Sequence, residues 1–285
     1  MPKIIRKSVF YWLLTAVTCY AVMACYQPEV GCLDIEATNF SAGADEACGA
    51  DDTSGDCPCD YPVLSFDTVD YVFAELDYST SETYEVSGQT LQLNRVNFYL
   101  SGFQFTSLEG TRVGVDDTLS LVIVENNEVV TQIFPDDFVL VNGQRSVDIG
   151  AFKQSTAYDS IRFVVGIEDL ANRADPESIA DVAHPLARES MHTGSQETGY
   201  IFNQITFQTD TASQAKTLNV IGTEHLVEVN LPFSVKTPRG RDFSLGTLHI
   251  DYAEWFAGIN FVTDSNEVMI EKIVSNTANA FSVSN

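Results

Sequence analysis

His184, His192, His225 and His249 are the only histidines of the chain, and all four lie beyond residue 183. Imidazole nitrogen is a strong ligand for first-row transition metals, and a thioether adds a soft donor that favours copper. Met191 stands beside His192, so His184, Met191, His192 and His225 form a candidate copper set. His184 precedes Pro185 in a loop-like stretch, and His192 opens a glycine-bearing turn in MHTGSQETGYIF, so both belong to one long connection that closes at Tyr200. His225 heads the apolar run HLVEVNL. His249, in LHID, alternates with Leu248 and Ile250 and faces solvent or a sheet neighbour. The competing reading makes these ordinary hydrogen-bonded histidines and Met191 a core residue.

Asp175, Glu177, Asp181 and Glu189 crowd the same connection as a solvated acidic loop. Nucleophile elbow, glycine-rich phosphate loop, HExxH and a Ser-His-Asp order are all missing, so no catalytic activity is expected. Asp116-Asp117 and Asp136-Asp137 are adjacent pairs, and on strands their carboxylates would point to opposite faces, which argues against paired acid and base.

The elements that must position these side chains are mostly strands. Period-two or continuous β-branched and aromatic runs cover Leu91 to Phe105, Leu119 to Val124, Ser160 to Ile167, Tyr200 to Thr209, His225 to Leu231 and Thr247 to Ile250. Helical spacing is confined to Ile179 to Ala187, Tyr252 to Phe256 and Asn266 to Asn279, the last with an apolar stripe of Val268, Ile270, Ile273 and Val274. The pattern predicts an all-β domain over 63–285, a two-sheet Greek-key β-sandwich with a few short helices.

Residues 1–24 read as a signal peptide, with Lys3, Arg6 and Lys7 before the apolar run Ser8 to Ala24. Val22-Met23-Ala24-Cys25 fits a lipobox, which makes Cys25 the lipidation site of an outer-membrane lipoprotein on the periplasmic side or the cell surface. Residues 25–62 hold Cys32, Cys48, Cys57 and Cys59 among many acids and too few aliphatic residues for a core. In an oxidising compartment four cysteines make two disulfides, with Cys57 and Cys59 each reaching back to Cys32 or Cys48. Asp34, Asp45, Asp51, Asp52 and Asp56 offer oxygen ligands for calcium there, without EF-hand spacing. Fifteen Lys and Arg against forty Asp and Glu, a net charge of −25, exclude nucleic acid as a partner.

Several segments together carry a family resemblance. GCLDIEATNF is similar to the first half of the short GCxDxxAxNYxxxAxxDDGSCxY modules of secreted bacterial proteins. From Val63 onward, LNRVNFYLSGFQF resembles "LxxxxYYLSNIxL", SIRFVVGIEDLAN resembles "IxFxIGVDxxxN", ESMHTGSQETGYIF resembles "MxWxWxxGYxF", and EHLVEVNL and LHIDYAEWFAG resemble the "HLG" and "IxxDxxxxFxG" strands of the MbnP family. These are exported proteins found with methanobactin operons and in copper handling. The resemblance implies a β-sandwich that in some members holds one copper ion through histidines, aided by a tryptophan oxidised to kynurenine by a partner di-haem enzyme; a copper uptake system is the other partner it implies. His225 matches the "HLG" histidine. Near Thr193 and Ser195 the family tryptophans are absent, so the tryptophan-derived ligand is not carried over. Trp255, the one tryptophan after the leader, is expected to pack on the core. The alternative function is a sandwich that has lost its metal and serves as an interaction or structural module.

Overall fold

The computed structural model describes residues 28–49, 57–125, 128–153, 157–209 and 214–284. The signal peptide, Cys25 and Asp51, Asp52 and Asp56 lie outside the described residues. Among the described residues no helix is long and apolar enough to cross a membrane. The chain divides into two compact units, Met1–Asp60 and Tyr61–Asn285.

In the first unit Cys32 bonds to Cys59 and Cys48 to Cys57, so each member of the C-x-C pair does reach back. A two-residue parallel ladder joins Val30–Gly31 to Glu46–Ala47. Asp34 accepts the Glu36 backbone N–H two residues on, as in an Asx turn, and Asp45 accepts the Glu29 N–H from 16 residues away, each with one carboxylate oxygen.

The second unit is built on the 19-residue strand Gln89–Ser107. Its apolar residues alternate over most of its length, and it forms the middle of an antiparallel sheet ordered Lys216–Ile221, Ile201–Gln208, Gln89–Ser107, Ala157–Val165 and Val227–Lys236. One face packs Leu91, Leu93, Phe98 and Phe105 against residues from two smaller sheets. The first joins Val147–Ala151, Val63–Phe66 and Phe243–Ser244; the second joins Phe281–Ser284, Thr247–Asp251, Thr68–Phe73 and Leu76–Asp77. Thr68–Phe73 and Thr247–Asp251 pair in parallel, which brings the beginning and the end of the domain together by crossover. The all-β sandwich is therefore present, with its second layer split in two.

Tyr252–Trp255 and Asn266–Asn276 are helical. In the latter helix the fully buried residues are Met269 and Ile273, and Val268 is exposed, which moves the predicted stripe by one position toward Met269. The expected helix at Ile179 to Ala187 is replaced by isolated 3-10 turns, since Pro185 has no N–H to extend a helix through it. His225 stands in the turn Thr223–His225, before the strand Val227–Lys236 begins.

The long strand carries a bulge where Gly102 and Phe103 together oppose Phe163. Gly102 has φ +65, and the freed Phe103 N–H donates to Asp137 Oδ2 at 2.7 Å. Asp137 is thus not half of an acid-base pair on a strand: Asp136 and Asp137 lie between strands, and Asp137 caps the bulge. Burial pushes its carboxyl up to about 6 from 3.8, against the lowering effect of the Phe103 and Gly102 N–H groups. A folded value above the unfolded one stabilises fully below about pH 4, and that stabilisation is lost as pH rises through about 6. In Asp137→Asn, the part of the stability-pH curve between pH 4 and 6 is expected to lose a slope worth on the order of 2–3 kcal/mol, read by denaturant titration at several pH values. An unchanged slope would show that Asp137 is not the titrating group.

Candidate functional site

The opposite face of the central sheet is covered at one end by the hairpin Thr118–Glu125/Glu128–Pro135 and by residues 166–200. That segment has four single-turn 3-10 helices, Asp169–Arg173, Pro176–Ser178, Pro185–Ala187 and Glu189–Met191. It is anchored from the sheet by two tyrosines. Tyr99 donates its hydroxyl to the Pro185 carbonyl at 3.0 Å and Tyr200 to the Leu186 carbonyl at 2.7 Å, with the rings edge to face. Burial raises both phenols well above the ordinary value, so each remains a hydrogen-bond donor at neutral pH. Asn172, buried and not evident from the sequence pattern, accepts the Tyr200 N–H at 2.9 Å and closes the loop onto Ile201–Gln208.

The histidines divide by what their ring nitrogens already do. His184 caps its own turn: Nδ1 accepts the Leu186 N–H at 3.1 Å, and Nε2–H therefore donates to Asp136 at 2.9 Å. Both nitrogens are committed, so as found it does not fit a metal. His249 is likewise engaged at both, donating from Nδ1 to Asp70 and accepting from Ser284 at Nε2, at the sheet-neighbour position expected for it. Met191 is 1% exposed, with the Asn97 amide 4.0 Å from its sulfur, so it is a core residue here.

Two histidines retain a nitrogen. His225 donates Nδ1–H to the Ile221 carbonyl at 2.6 Å, which leaves Nε2 with its lone pair and without a partner among the described residues; metal-bound histidines are commonly held this way by a backbone carbonyl. His192 accepts the Gly194 N–H at Nδ1, 3.1 Å away, and its buried Nε2 has no partner. Burial lowers its pKa while the Asp175 carboxylate opposes this, so the ring is neutral at pH 7. His192 shares an open cavity of about 620 Å³ with Asp175, Glu177 and Glu189. His192 bridges to Tyr200, and the next residue, Ile201, pairs with Ile221, so His192 and the carbonyl that holds His225 flank the same short stretch of one strand. Among the described residues no three His, Cys, Asp or Glu side chains surround one point. Among the described residues, the imidazole nitrogens not claimed by a hydrogen bond are thus Nε2 of His225, which carries a lone pair, and Nε2 of His192, which carries the ring proton as found.

The model of the MbnP family matches residues 63–270, most of the chain. The chain belongs to the MbnP family. Among solved structures, MbnP from Methylosinus trichosporium is similar, at 13% identity, with 68% of this chain and 77% of that one covered and a TM-score of 0.41. No curated protein matches. Within this MbnP-family domain the stretch Met191 to Phe202 supplies a buried core residue, a neutral imidazole, a turn and the first strand residues. In the turn, Thr193 binds Thr198 and the Gly199 carbonyl through its hydroxyl, in the part of the motif where the family carries tryptophans. Trp255 is fully buried, as expected.

Proposed function

We propose that this MbnP-family protein is exported, lipid-anchored through Cys25 and non-catalytic, and that it binds copper at the end of the sandwich that carries His192 and His225. The observation that carries this reading is the state of the His225 ring, whose Nδ1–H is held by the Ile221 carbonyl while Nε2 stays free. Two imidazoles with nearby carboxylates suit Cu(II), which heads the divalent affinity order. For His192 to ligate through Nε2, its proton must move to Nδ1 and the Gly194 N–H must turn away. Gly194 has φ +81 and open space around it, so its N–H can turn without a clash, and the buried Nε2 must open toward the ion in the same step. A copper uptake system or a di-haem protein is the partner class this reading implies, and calcium in the Cys/Asp-rich unit is a separate proposal for the acids there.

Copper titration of the mature chain by calorimetry and electron paramagnetic resonance tests this. One saturable site is expected, with hyperfine splitting from two nitrogens in the wild type. His192→Ala or His225→Ala should each weaken it at least about tenfold. His184→Ala and Met191→Leu should leave it unchanged. Loss of binding in His184→Ala alone would overturn the assignment. Absence of any saturable site would favour the second reading, an interaction module without metal, which the full engagement of His184, His249 and Met191 supports.

A further inference from the structure

A second cleft, of about 770 Å³, is lined by the strand Thr68–Phe73, the residues after Asp77, part of the long strand and the turn at Asn142. Arg95 and Arg145 both line it. Both are exposed, and among the described residues neither has an ion pair or a side-chain hydrogen bond. With forty acids for fifteen basic residues, carboxylates are abundant in this chain. Arg162, by contrast, holds two of them, Glu168 and Glu228. Two unclaimed guanidiniums in one cleft present planar, forked donors suited to a carboxylate.

The remaining lining narrows the ligand. Asp77 lines the same cleft and is exposed, an acceptor suited to a hydroxyl donor, while Asn94 is part of the wall with its Oδ1 closed off from solvent. Tyr71 and Tyr78 have their hydroxyls tied to the carbonyls of Gln144 and Leu93, and both rings pack on Tyr252, so they form a rigid aromatic wall. A bare inorganic oxyanion would fill little of this volume and would meet Asp77 with repulsion. A polyanion would be repelled by the acidic surface as a whole. A single carboxylate on a polyhydroxylated ring gives the guanidiniums an acceptor and Asp77 a hydroxyl donor, while Asp70, the other carboxylate of the lining, is already held by His249.

We propose that this cleft binds a sugar acid, with the carboxylate between Arg95 and Arg145 and a ring hydroxyl donating to Asp77. The site is distinct from the loop that carries His192 and stands whether or not copper binds there. The test is calorimetric or NMR titration of the mature chain with D-glucuronate and D-galacturonate, with D-glucose as the neutral comparator. At least one of the two acids should bind saturably, about tenfold or more tighter than D-glucose, and Arg95→Ala with Arg145→Ala should remove about thirtyfold or more of that affinity. Both side chains are exposed, so the double variant should melt with the wild type. No saturable binding of either acid, equal binding of D-glucose, or unchanged affinity in the double variant would overturn the proposal.

Discussion

Gly199→Ala is expected to lower domain stability by about 3 kcal/mol or more, although it adds only a single methyl group. Gly199 has φ +66, where a Cβ is disfavoured by about 1 kcal/mol. Space is the larger problem: the new Cβ would fall onto the carbonyl and side-chain amide of Asn172. To avoid them the turn must shift, and the shift strains three hydrogen bonds at once: Gly199 N–H to Ser195 O at 2.8 Å, Thr193 N–H to Gly199 O at 3.0 Å, and Tyr200 N–H to Asn172 Oδ1 at 2.9 Å. The loop that bears His192 then loses its tie to Ile201–Gln208. Thermal unfolding should show a fall of roughly 6–12 °C for a domain of this size, accompanied by faster amide exchange across 191–200. A melting temperature within a degree or two of wild type would mean that the turn relaxes freely and does not hold the loop.

Trp255→Ala should be costlier in the other half of the molecule, by about 3–5 kcal/mol. The indole is fully buried, with Phe98 edge-on at 5.2 Å and Tyr252 at 5.3 Å, so truncation leaves a cavity that the packed rings cannot close. Its Nε1–H is buried without an acceptor among the described residues. Trp255→Phe therefore removes an unsatisfied donor along with some packing and should cost only about 1–2 kcal/mol. Chemical denaturation of both variants, followed by far-UV circular dichroism because Trp255 is the fluorophore, separates the two. Equal losses for Phe and Ala would show that the indole N–H is paired after all.

The burial of Trp255 also bears on the family chemistry. A tryptophan sealed behind Phe98 and Tyr252 is a packing residue, and the positions near Thr193 and Ser195 hold hydroxyl side chains that hydrogen-bond within their own turn. What remains of a ligand set comes from histidines whose availability follows from backbone geometry. The Ile221 carbonyl selects the tautomer of His225, and the Gly194 N–H selects that of His192.

By itself the sequence determined the strand content and the family. Alternation along LQLNRVNFYLSGFQF placed Leu91, Leu93, Phe103 and Phe105 in the core, and a period of two is a local property that residue order carries directly. The backward reach of Cys57 and Cys59 followed in the same way, from the short span of C-x-C. Local period misled where a single residue overrides it. Pro185 breaks a helix that the spacing around Ile179 would otherwise support, and a 3-10 turn takes His225 out of the strand its neighbours continue. Only the tertiary structure decided which candidate ligands are free. His184 is silenced by Asp136, 48 residues away, and Asp137 is turned into a bulge cap by Phe103, 34 residues away. Arg95 and Arg145 meet in one cleft only because the turn at Asn142 folds back on the long strand. Hydrogen-bond partners across such separations are set by how layers dock and not by the spacing of residues in the chain, so the chemistry of each site became legible only once the sheets were packed.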